Sequence, residues 1–141
     1  MMRMKRRWSP VLHALCAAGF ALLGATSADA RPRLTGEQQL AKMLEGKVAG
    51  TPVDCITLHT IDSTTVIDKT AVVYKSGRTY YVQRPRAGAD QLDDDDILVT
   101  RLTTSELCSI DTVQLHDRVT GFWHGFLTLD KFVPYAKPRT K

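Results

Sequence analysis

Two cysteines, Cys55 and Cys108, bracket about fifty residues in which short runs of Val, Ile, Thr and Tyr alternate with polar turns. Nothing else in the chain constrains its fold as strongly. If the two are bonded, most of a β-sheet lies inside one covalent loop, and closing a loop of that length stabilises a domain by about 4 kcal/mol on the chain-entropy account. The third cysteine, Cys16, falls in a segment with the marks of a signal peptide. Arg3, Lys5, Arg6 and Arg7 form a basic head, an apolar run covers 11–25, and Ala28-Asp29-Ala30 offers a small-x-small site, which predicts cleavage after Ala30. The run is about fifteen residues, short of the ~20 that a spanning helix requires. Leu15 stands before Cys16 where a lipoprotein needs a small residue, so Cys16 belongs to the discarded segment.

Cleavage changes the charge argument. Residues 1–30 carry four of the nineteen basic and one of the fifteen acidic residues, so the remaining 111 hold fifteen against fourteen, a net charge of +1. Steering toward nucleic acid is therefore not supported, despite the basic precursor. A chain of that size is one domain with a modest core. The expected organisation is a leader over 31–34, one globular domain over 35–135 and a basic tail over 136–141, with no membrane helix in the mature chain. Two cysteines then remain in a compartment that permits disulfides, and they allow only one pairing. The alternative use of such a pair, as thiols for metal or catalysis, lacks a CxxC and a histidine at finger spacing.

Along the mature chain, Thr35 followed by Gln38 forms a capping box, and Leu40, Met43 and Leu44 then recur at helical spacing before Gly46, which predicts a short amphipathic helix over 35–45. From 54 the period becomes two. Residues 54–61 read as a strand, and 64–67, 70–75 and 79–83 read as a three-strand antiparallel meander, with Gly77 in its second turn. Residues 84–90 read as a loop, 97–102 and 111–116 as strands, and 103–106 as a turn or one helical turn into Cys108. The aromatic segment 121–135 reads as a closing strand or extended cover. Both cysteines fall out of phase with the apolar residues of their strands, which places a bond at the rim or outer face of the sheet. The fold class is α+β, mainly β: a curved or barrel-like antiparallel sheet of five or six strands with one short N-terminal helix.

Three constellations carry candidate chemistry. Asp93 to Asp96 offers hard oxygen ligands, but four consecutive acids on an extended chain alternate between faces. They read as a solvated gatekeeper before the apolar Ile97-Leu98-Val99 run. His59, His116 and His124 lack metal-site spacing, so no metal and no cofactor is implied, although His59 or His116 could serve an enzyme of unassigned chemistry. Tyr74, Arg78, Arg84 and Arg86 form a basic, aromatic hairpin and loop that could bind an anionic polymer, glycan or nucleic acid, by stacking and phosphate contact.

The order of Cys55-Ile56, Ile61-Asp62, Val66-Ile67-Asp68, Tyr74, Gly77, Tyr80-Tyr81, Leu107-Cys108, Asp111 and Phe132-Val133-Pro134-Tyr135 resembles a family of small exported proteobacterial proteins classified only as a domain of unknown function. The resemblance covers 55–135. It implies a periplasmic or secreted protein and no particular activity. Members of that family tend to carry two further cysteines, where this chain has Arg86 to Asp90 and His124 to Leu127; their joint absence implies that the missing two pair with each other and that Cys55 pairs with Cys108. The reading that follows is a non-enzymatic binding or structural module serving an unidentified envelope component.

Overall fold

A computed structural model describes residues 32–139, so the predicted signal peptide and Cys16 lie outside the described residues. Helix α1 (Gly36–Met43) opens on the predicted capping box: Gln38 N–H donates to Thr35 Oγ1 at 3.3 Å while Thr35 N–H donates to Gln38 Oε1 at 2.9 Å. Thr35→Ala removes one of these partners and is expected to lower stability by about 1 kcal/mol. Chemical denaturation of the two proteins side by side checks this, and an unchanged midpoint would mean that the cap does not hold the helix.

Among the described residues ten strands follow: β1 (Val48–Ala49), β2 (Cys55–Thr57), β3 (Ser63–Ile67), β4 (Ala71–Ser76), β5 (Thr79–Gln83), β6 (Ile97–Thr100), β7 (Glu106–Cys108), β8 (Thr112–His116), β9 (Trp123–Thr128) and β10 (Phe132–Ala136). They form three antiparallel sheets, ordered β1-β10-β5-β4-β3, β2-β7 and β6-β8-β9. The meander β3-β4-β5 is the one predicted, and Gly77 turns its second hairpin at φ +55. The five-stranded sheet is open. The remaining strands build two smaller sheets against it instead of closing a barrel.

Both faces of that sheet are covered, which is why β4 reads as the continuous run Ala-Val-Val-Tyr and not as an alternation. On one face α1 lays Leu40, with Met43 and Leu44 beside it, over Ile67, Ala71, Val73 and Val82. On the other, Val72, Tyr74 and Phe132 meet Ile56 and Leu107 of the two-stranded sheet and Val113, Leu115 and Leu127 of the three-stranded one. Tyr80 and Tyr81 point to opposite layers, as adjacent strand residues must.

Several segments differ from expectation. The strand beginning at Cys55 stops at Thr57, and Leu58–Thr60 forms a 3-10 turn whose first N–H donates to Ser105 O. Glu106–Cys108 is a strand, not a turn, because β2 supplies its ladder. The aromatic segment splits into β9 and β10, which join different sheets. The loop after β5 is ordered: Arg86 N–H donates to Thr128 O and Thr128 N–H to Ala87 O, so it lies along the edge of β9. Gly88 makes that approach feasible. Its φ is +87, and a Cβ there would run into the Phe126 carbonyl oxygen.

Cys55 and Cys108 form a disulfide and face each other directly across the β2-β7 ladder, with Cα atoms 4.0 Å apart. Ile56 and Leu107 turn into the core while both cysteines stay half-buried on the opposite face. The bond thus occupies the rim position that the residue parity predicts.

Candidate functional site

A hollow of about 650 Å³ lies between β3, an outer strand of the five-stranded sheet, and β6, an outer strand of the three-stranded one. Its apolar base comes from Leu58, Val66, Tyr74, Leu98 and Leu107, and the hydroxyls of Thr64, Thr65 and Thr100 rim it. Leu58 reaches the base because the 3-10 turn breaks the strand, and Leu107 because β7 is a strand. A volume of this order lies in the range of ligand sites, and the lining is mixed, with three threonines, two aspartates and Arg118 set around the apolar base. Tyr74 is 5% exposed, with its ring edge against Phe132, and burial alone pushes its phenol well above the ordinary range. It stays protonated and can donate a hydrogen bond at the base of the cleft.

One end of the cleft is acidic. Asp94 and Asp96 line it, and Asp96 also lines an adjoining hollow of about 380 Å³ with Asp93, Asp95, Asp117 and His124. Asp93, Asp94 and Asp95 are exposed, in keeping with a solvated run, but Asp96 is not: its side chain is 2% exposed. Its carboxylate accepts from Asp93 N–H at 2.9 Å and from His124 Nε2 at 2.7 Å, an arrangement that leaves His124 Nδ1 as the free ring nitrogen. The expectation of a solvated fourth acid is thereby corrected. A buried carboxylate is kept where hydrogen bonds replace its water, and Asp96 has two. Negative charge is dense outside it. Loss of solvent and the neighbouring carboxylates of Asp93, Asp117 and Asp94 hold the Asp95 carboxyl above the usual carboxylate range, whereas the N–H and hydroxyl of Thr120 hold that of Asp117 below it.

The histidines singled out from sequence are dispersed in role. His59 is exposed on the 3-10 turn, and His116 on β8 contacts Gly121 O at 3.1 Å. Among the described residues, neither cluster of three or more side chains with metal-ligating atoms in mutual reach contains a histidine. One is the exposed trio Asp93, Asp94 and Asp95; the other includes the bonded cysteines.

The basic hairpin set is also separated. Tyr74 is buried and has no ring face to offer a base or sugar. Arg78 is exposed in the β4-β5 turn, at the far end of β5 from Arg84 and Arg86. Arg84 forms a two-pronged pair with Glu37, at 2.6 and 2.8 Å, that ties β5 to α1 and holds the Glu37 carboxyl below its usual range. Exposed pairs of this kind contribute about 0.2–1 kcal/mol. Arg86 lies 3.8 Å from Asp130.

Sequence reading missed the cleft itself. Its one legible trace is Ser-Thr-Thr-Val-Ile, a strand sequence with no charge and no proline. No helix of the described residues is long and apolar enough to cross a membrane. Comparison of the chain with protein-family models, curated proteins and solved structures found no match.

Proposed function

We propose that the chain is an exported, disulfide-stapled binding domain of the cell envelope, and that it binds through the cleft between β3 and β6. The observation that carries this reading is the cleft's construction: an apolar base with one buried phenolic donor, open between two sheet edges. The disulfide agrees with an oxidising compartment, and the resemblance of residues 55–135 to exported envelope proteins supports the same location.

Site-specific photocrosslinking in living cells tests it. A photoreactive residue replacing Thr65 or Thr100, on the cleft, is expected to trap an envelope component, while one replacing Lys42, exposed on α1, is not. Crosslinks that arise only from Arg78 or Arg86 would move the site to the basic hairpin and favour an anionic polymer. Equal yields at all positions would remove the cleft from consideration.

A further inference from the structure

The edges of these sheets are not equally protected. A free edge strand exposes a row of unpaired N–H and C=O groups, and proteins ordinarily blunt it by shortness, charge, proline, a bulge or a covering loop. β1 has two residues. β9 is covered by residues 86–91, with Gln91 packed against Gly125, and its register with β8 is broken near His116. β6 follows four aspartates, and Arg118 Nε donates to the Asp95 carbonyl at its start. β3 has none of these devices. Its five residues carry no charge and no proline, its register with β4 is unbroken from Ser63 to Ile67, and Ser63, Thr64 and Thr65 are exposed. In an antiparallel ladder every second residue of such a strand turns its backbone polar groups outward. Here they meet the cleft that Thr64, Thr65 and Val66 line.

From this geometry we infer that the ligand of the cleft is an extended peptide segment of another protein, which adds a strand to β3. The inference rests on the binding reading above and names its partner. Val66 faces the layer of Val72 and Tyr74, and Thr64 shares its parity, so alternate side chains of an added strand would descend toward Tyr74, Leu98 and Leu107. Those side chains must be apolar. The sheet is antiparallel throughout, and an antiparallel addition begins opposite Ile67 and ends opposite Ser63. The acidic end of the cleft lies at the Ile67 side, because Lys69 N–H donates to Leu92 O immediately before the aspartate run. Among the residues lining the two hollows, Asp93, Asp94, Asp95 and Asp117 face one cation, Arg118, which is already engaged. Charge complementarity therefore places Lys or Arg at the N-terminal end of the bound segment.

Selection of a random displayed peptide library, with inserts of about nine residues to span β3 and its flanks, on the oxidised mature protein tests the inference. The enriched peptides should alternate apolar residues and carry Lys or Arg ahead of them. Their affinity, read by fluorescence anisotropy, should fall about tenfold or more in Asp94→Lys/Asp95→Lys and in Thr64→Lys, which puts a charge on the free edge. Thermal unfolding of each variant alongside separates lost binding from lost folding; all three positions are exposed, so midpoints should hold. No enrichment over bare support, or enriched peptides indifferent to both variants, would overturn the inference. So would a dimer in sedimentation that Thr64→Lys abolishes, since the occupant would then be a second copy. If photocrosslinks from Thr65 and Thr100 persist while peptides fail, the binding reading stands without the peptide; if both fail, both readings fall.

Discussion

Phe132→Ala is expected to cost about 3–5 kcal/mol, the range for truncating a buried aromatic. Phe132 has no exposed surface, and it stands where three structural units meet. Its ring meets Tyr74 edge-on, with centroids 5.9 Å apart and planes at 67°, and its strand neighbour is Gln83 of β5. Its backbone exchanges two hydrogen bonds of 2.9 Å with Val53, which carries the chain into β2. Removing the ring leaves a void between stiff sheets that cannot close over it, and it removes the packing that orients Tyr74 toward the cleft. Since a domain of this kind has about 5–15 kcal/mol in total, the variant should be marginal at room temperature. Urea unfolding with an unchanged slope and a much lower midpoint would bear this out. Phe122→Ala provides the contrast: that ring is 76% exposed, and its loss should stay within about 0.5 kcal/mol. Similar losses for the two would mean that the core is not centred where the structure puts it.

The parts of this fold that were legible in the sequence are those fixed by near neighbours. The capping box joins residues three apart, and the meander β3-β4-β5 is held by turns of a few residues, so local chemistry specified both. β7 was hidden because Glu106-Leu107-Cys108 has one apolar residue and no period; only its pairing with β2, about fifty residues away, makes it a strand. Asp96 was indistinguishable from the three acids before it, since its burial depends on His124, 28 positions on. Tyr74 was read as a surface aromatic because strand parity says which layer a residue faces, not whether that layer is covered. The cleft was invisible for the same reason: it lies between two strands that never pair.

Replacing Cys55 and Cys108 together with Ser should lower stability by about 2–5 kcal/mol. The β2-β7 sheet has two strands of three residues each, and a two-stranded ladder of that length is not stable alone. What holds it is Ile56 and Leu107 in the core on one face and the disulfide on the other. Opening the bond frees the loop it closes and leaves the ladder with its apolar face only. The cleft should feel this directly, because Leu107 belongs to β7 and Leu58 follows β2, so two of its base residues hang from the stapled ladder. Binding in the cleft should accordingly weaken at temperatures where the five-stranded sheet is still folded, ahead of global unfolding. Hydrogen exchange resolves the order of events: amides of β2 and β7 should lose protection in the serine variant while those of β4 and β5 keep theirs. Thiol titration of the wild type, together with the urea midpoint of the variant, tests the premise. Two free thiols, or an unchanged midpoint, would mean that the pair is not a staple, and the cleft would then need another explanation for its base.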